Sequence, residues 1–300
     1  MGLRIAIIIA GAAVAIVMVV FAISNWLGPF PFGISRRDTT LLTLWNEGRY
    51  EEVLAEAEDV LVEHPLDTQA LTFGGFAHFY VGVDRATEEE RRPHIERSIV
   101  LLRKAHHVSR APLPGERSYV LAKAYYHKGG SYLDTSASYM QRSLEEGHIA
   151  DDSYAYLGLA YEGMEDFSRS AEWYVEGLAR EDTASMRMKA ADSYVALGDY
   201  RTAEMHLESA ITRNSDEYLD LVLRNELAWV LILQDRLEEA ERLLDRIIEQ
   251  HPDSADAVYY LGVVYERTGR PVEARSMWRQ ARDIDPDHLE ALRSLANSED

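Results

Sequence analysis

The sequence predicts an all-α protein: one N-terminal transmembrane helix followed by a solenoid of antiparallel helix pairs. Three observations carry that expectation. Residues 5–23 are nineteen in a row without a polar side chain, and the chain further on repeats itself every 34 residues. Within each repeat, apolar residues recur at helical spacing, broken by Gly or Asp turns and closed by Pro.

Residues 1–4 form a short tail with Arg4, residues 5–23 the span, and residues 24–35 a juxtamembrane linker. At about 1.5 Å per residue, such a helix matches a hydrocarbon core of roughly 30 Å. A buried helix of a globular domain normally keeps a polar edge, which this run lacks. A cleaved signal peptide would use Arg4 as its basic end and Ala22-Ile23-Ser24 as its cleavage site, yet its apolar part is usually about 7 to 15 residues long. Length therefore favours a retained signal anchor. Trp26, Phe30 and Phe32 suit the headgroup level, and Pro29 and Pro31 stop the helix. Arg4 on one side nearly balances Arg36 and Arg37 on the other, so charge alone does not orient the span. The short basic tail favours a cytoplasmic N-terminus and a periplasmic body, single-pass in a bacterial envelope.

Residues 255–288 and 221–254 align over 34 positions without a gap: Leu261-Gly262 with Leu227-Ala228, Tyr265 with Leu231, Ala274 with Ala240, Pro286 with Pro252. Residues 184–217 supply Ala190-Ala191, Tyr194, Gly198, Tyr200 and Ala203, followed by a three-residue insertion. Residues 151–183 supply Leu157-Gly158, Tyr161 and Phe167. Weaker units at 115–150, 68–107 and 34–67 bring the total to about seven within 36–297, closed by an end-cap helix at 289–297. Gly158, Ala191, Ala228 and Gly262 on first helices, with Ala203, Ala240 and Ala274 on second helices, stand where backbones must approach. Gly129, Gly198 and Gly269 close first helices in left-handed backbone. Residues 83–94 read as a solvated charged loop ahead of Pro93.

This order of residues resembles the tetratricopeptide-repeat family, whose units run from an apolar start through Leu-Gly, Tyr, Gly-x-Tyr and Ala to an aromatic, Ala and Pro. The resemblance implies a right-handed superhelix, and it implies ligand contact from the second, fifth, sixth, ninth and twelfth positions of each unit. Carried over, these include Phe73, Phe76 and Phe79; Tyr119, Lys123 and Tyr126; Tyr156, Leu159 and Glu162; Met188, Lys189 and Asp192; Asn225, Glu226 and Trp229; and Tyr259, Tyr260 and Glu266. The Lys, Asn and Arg clamp with which chaperone-binding members hold a C-terminal carboxylate is not matched in the early units, which offer Phe and Tyr instead. An aromatic, acidic groove suits a partner segment that is apolar and basic. The bland alternative is that Phe73, Tyr156 and Tyr260 are core between repeats.

Composition excludes other classes. The formal charge is -20, from 31 Lys and Arg against 51 Asp and Glu, which disfavours binding to nucleic-acid phosphates. Residues 1–37 hold no acid, so the acidity belongs to the body. The absence of Cys excludes disulfides, thiolate metal sites and a cysteine nucleophile. No motif of a zinc protease, serine hydrolase, nucleotide loop or dinucleotide fold occurs. His64, His251 and His288 fall in turns between repeats and read as surface residues, while adjacent His106 and His107 diverge on a helix. Residues 283–287 begin like a calcium loop, which Pro286 breaks. No enzyme, metal or cofactor is expected. The expected function is a membrane-anchored scaffold recruiting envelope or secretion-associated protein partners through the concave groove. The alternative is a permanent subunit of a membrane complex, packed through its convex or terminal surfaces.

Overall fold

A computed structural model of the chain describes residues 36–298 apart from Ser109. The tail, span and linker expected over 1–35 lie outside the described residues. Among the described residues no helix is long and apolar enough to cross a membrane, and every regular element is helical. The helices expected as one run of repeats fall into two compact units that part between Leu113 and Pro114.

The first unit holds α1 (Arg36–Asn46), α2 (Tyr50–Glu63), α3 (Thr68–Val83) and α4 (Glu88–His107). Helix α3 is apolar around its whole circumference, and a helix without a polar stripe must be covered on all sides. It packs against α1, α2 and α4. A Cβ on Gly74 would stand 2.9 Å from Ala57 Cβ, and one on Gly75 would stand 2.5 Å from the Leu102 side chain, so α2 and α4 close onto bare backbone. Phe73, Phe76 and Phe79, expected in the groove, are 4%, 2% and 1% exposed. They belong to the core of this unit, with the Trp45 ring 5.8 Å from Phe73 and 5.5 Å from Phe76.

The loop expected over 83–94 is another correction. Helix α4 already begins at Glu88, and Pro93 lies inside it. Thr87 Oγ1 accepts the Glu90 N–H at 3.3 Å, in the Thr-x-x-Glu spacing of a capping box, and Glu88, Glu89 and Glu90 favour the positive end of the helix dipole. Those start signals fix the boundary upstream of the proline.

The second unit stacks hairpins α5/α6 (Pro114–Lys128, Leu133–Glu145), α7/α8 (Ser153–Gly163, Phe167–Leu178), α9/α10 (Ala184–Ala196, Tyr200–Arg213), α11/α12 (Glu217–Leu233, Leu237–Gln250) and α13/α14 (Ala255–Arg267, Pro271–Ile284), followed by α15 (Leu289–Asn297). A short turn of 3-10 helix at Gly130–Tyr132 joins α5 to α6. The small residues stand at the crossings: a Cβ on Gly158 would lie 2.4 Å from the Tyr174 ring, and one on Gly262 2.4 Å from Trp278. Ala191, Ala203, Ala228, Ala240 and Ala274 are at most 1% exposed. Gly198 and Gly269 take positive φ between first and second helices, and Glu165 and Asp235 take it at the same place, at 60° and 62°.

One histidine departs from the expectation of a surface turn. His288 is 7% exposed, because its Nδ1 caps α15 by accepting the Ala291 N–H at 3.3 Å. Its Nε2 stands 3.3 Å from Asp256 Oδ1. His64, by contrast, is exposed.

Candidate partner-binding face

First helices α5, α7, α9, α11 and α13 of the second unit present one polar and aromatic row. At its start, Lys123 Nζ is bound to Asp152 Oδ2 at 2.8 Å and to Tyr119 Oη at 3.0 Å, and it lies 4.6 Å from the Tyr156 ring centre. Tyr119 Oη also donates to Asp152 Oδ1 at 2.7 Å. An ammonium thus already sits between aromatic rings and a carboxylate, the arrangement in which a cation gains most from both. Tyr126 meets Tyr156 edge to face at 5.2 Å.

Further along the row, carboxylates outnumber cations. Tyr174 Oη donates to Glu162 Oε2 at 3.0 Å. Lys189 Nζ stands 3.6 Å from Glu162 and 3.4 Å from Asp192. Burial pushes the Asp192 carboxyl up, and Lys189 only partly reverses this. Glu226 has no hydrogen bond or ion pair among the described residues. Burial, then the charges of Asp192 and Asp256, push its carboxyl up from 4.5 to about 7, with Lys189 opposing. Beside it Trp229 stacks on Tyr260 at 5.5 Å with 20° between the ring planes. The Tyr260 phenol is itself raised by burial, then by Glu226 and Asp256.

The structure sorts the sequence-derived candidates. Asn225 is 5% exposed and donates to Ser254 Oγ at 3.2 Å, and Tyr119 is 8% exposed. Both are buried, and their hydrogen bonds tie one repeat to the next. Lys123 is committed to Asp152 for the same reason: a carboxylate and two rings already surround it. Tyr126, Tyr156, Leu159, Met188, Asp192, Trp229 and Tyr259 are half-buried along the row, and Glu266 is exposed. Asp152 and Asp256 were missed, although each stands at the second position of its repeat, one of the positions the family resemblance picks out. Among the described residues no three His, Asp or Glu side chains converge as a metal ion requires.

Comparison with known proteins agrees with this architecture. Tetratricopeptide-repeat family profiles match residues 194–261 and 256–288. No curated protein matches the chain in sequence. The C-terminal part of a tetratricopeptide-repeat-containing protein from Cytophaga hutchinsonii superposes with a TM-score of 0.64 at 12% identity, covering 86% of this chain and 98% of that one. Cut9, from the APC/C hetero-tetramer Cut9-Hcn1, superposes with a TM-score of 0.52 at 15% identity over 90% of this chain and 50% of that one. YrrB, described as having an unusual peptide-binding site, is 23% identical over 59% of this chain and 90% of its own, with a TM-score of 0.48.

Proposed function

We propose that this chain, matched by tetratricopeptide-repeat profiles over residues 194–261 and 256–288, is a protein-binding scaffold whose second unit takes an apolar, basic segment of a partner on its first-helix row. The observation that carries the reading is Glu226, a half-buried carboxylate without a partner, flanked by Asp192 and Asp256 and next to the Trp229–Tyr260 stack. A Lys or Arg from the partner would supply the missing counter-charge, and its apolar neighbours would cover the stack. The Lys123 cage is an internal example of the same chemistry. Cut9 is described in a hetero-tetramer with Hcn1, which fits a fold used to hold other proteins. The apolar run at 5–23 supports a further proposal, that the chain is tethered to a membrane with its body outside the cytoplasm. Protease protection of sealed vesicles tests that part by itself.

The binding reading is tested with full-length chain in neutral detergent, micelles alone being subtracted, and a fluorescent peptide of leucines and lysines. A matched peptide with glutamates in place of lysines is the control. Glu226→Gln and Trp229→Ala are each expected to weaken the lysine peptide by about tenfold or more. Affinity in the parent chain should fall as pH drops below about 7, because the carboxylate must be ionised to hold the cation. Equal binding of both peptides, or parental affinity in both variants, would reject the assignment.

A further inference from the structure

In the first unit, α3 and α4 meet through a pair of histidines that nothing above uses. His78 lies on α3 and His94 on α4, with their Nδ1 atoms 3.1 Å apart and their ring centres 5.2 Å apart. The other nitrogen of His78, Nε2, is 3.3 Å from Glu58 Oε1 on α2. Arg97 of α4 grips the same carboxylate, Nε donating to Oε1 at 2.8 Å and Nη2 to Oε2 at 2.6 Å. One cluster therefore ties three helices together. The crossing beside it is close: a Cβ on Gly82 of α3 would stand 2.8 Å from His94 Cβ and 3.5 Å from the Arg91 carbonyl oxygen. Helix α1 meets α3 elsewhere, through Trp45 against Phe73, Phe76 and Tyr80. At about 100° per residue those positions lie roughly 140° or more around α3 from His78.

The partners of the pair place its hydrogens. His78 Nε2 faces a carboxylate and carries a hydrogen, so its Nδ1 offers a lone pair, to which His94 Nδ1–H donates. His94 is half-buried, and its Nε2 has no hydrogen bond among the described residues. A first proton therefore goes to His94 Nε2, which leaves the bond between the rings in place and makes it charge-assisted. A second proton can land only on His78 Nδ1. There it sets two N–H groups head to head between two imidazolium rings. The charged groups that face His78 are Glu58 from α2 and Arg97 and His94 from α4, and His94 has Glu90, Arg91 and Arg97 within a turn on its own helix. Burial, the largest influence, pushes the His78 imidazole down. Glu58, already shared with Arg97, opposes, and the charges of His94 and Arg97 push down again.

We infer that His78 and His94 form an acid-sensitive latch between α3 and α4, which holds with one added proton or none and releases the start of α4 when both rings are charged. Because folding keeps the second proton off, the folded unit binds fewer protons than the unfolded chain below about pH 6.5, the ordinary imidazole value. The latch contributes in full above that pH and is lost as pH falls below it. What it releases is a cover. Helix α3 is apolar around its circumference, and Ile95 of α4, 2% exposed in the closed form, belongs to the layer over it. Opening in acid thus presents an apolar face that the neutral protein keeps out of water. The latch lies wholly in the first unit and is independent of the first-helix row proposed above.

The test is amide hydrogen exchange, read by mass spectrometry on the full-length chain in neutral detergent, for the parent and for His94→Gln. The glutamine amide stays neutral and can meet either form of His78. Taking the ratio of parent to variant rates at each pH cancels the intrinsic pH dependence of exchange. For peptides from the end of α3 and the start of α4, that ratio should rise about fivefold or more between about pH 7.5 and about pH 5. Peptides of the second unit should show no such rise. Histidine 13Cε1 spectra of the parent give a second reading that needs no variant: one ring of the pair should titrate well below the ordinary imidazole value, and in His94→Gln the remaining ring should move up. A flat ratio, as when the His94 ring merely swings out, would overturn the inference. So would an equal rise in the second unit, or two rings that titrate as isolated imidazoles.

Discussion

Replacing Glu226 by Gln should stabilise the second unit at alkaline pH and do nothing at acid pH. The folded protein holds this carboxyl at about 7, against 4.5 for the ordinary group. A group raised on folding contributes most below its unfolded value and loses that contribution as pH rises through its folded value. The window therefore runs from about pH 4.5 to pH 7. The shift of about 2.5 units corresponds to ~3.4 kcal/mol at about 1.4 kcal/mol per unit. Partial exposure and the amide's own desolvation reduce the expected gain to roughly 1–3 kcal/mol at pH 8. For a unit of this size that is an increase in Tm of about 2–10 °C. The assay is thermal unfolding followed by far-UV circular dichroism for parent and variant at pH 5 and pH 8, the difference between chains cancelling every other titrating group. A variant less stable than the parent at pH 8, or equally shifted at both pH values, would refute the claim that Glu226 is an uncompensated charge.

Three further outcomes test the packing. Gly262→Ala puts a Cβ 2.4 Å from the Trp278 ring and should destabilise by about 1–3 kcal/mol in chemical denaturation, since overpacking forces ring and backbone apart. Glu165→Gly should stabilise by a few tenths to about 1 kcal/mol, because Glu165 holds φ at 60° where glycine meets no Cβ penalty; a loss of stability would show that the turn is not strained there. Phe76→Ala, at 2% exposure, should destabilise the first unit by about 3–5 kcal/mol while leaving peptide binding by the second unit intact.

The helix pairs and their close crossings were legible because they rest on local rules. Leu-Gly and Leu-Ala pairs recur at a fixed period, and a Gly158 or Gly262 in that register has one physical use, which the approach of Tyr174 and Trp278 displays. The start of α4 is also legible in principle, since Thr87 and Glu90 stand at capping-box spacing, whereas Pro93 taken alone points to a later start. What could not be read was which side of an apolar helix is covered. The spacing of Phe73, Phe76 and Phe79 is the same whether the helix faces a groove or a core, and only the packing of α1, α2 and α4 around α3 decides it. Asp256 was legible as the second position of its repeat, and only its neighbours, Glu226 on the preceding first helix and His288 beyond, needed the structure.

Stability and binding make opposite demands on Glu226. A carboxylate that merely decorated a helix would sit near its ordinary titration value, and one serving the fold would have found a partner such as Arg236 finds in Glu204 and Glu239. Glu226 does neither. Burial without a partner raises the energy of the charged form in the free protein, and a ligand cation that enters the row removes that penalty on binding. The same substitution should therefore raise Tm at pH 8 and lower affinity for the lysine peptide. A purely structural role would move the first of these without the second, and a surface charge with no role would move neither.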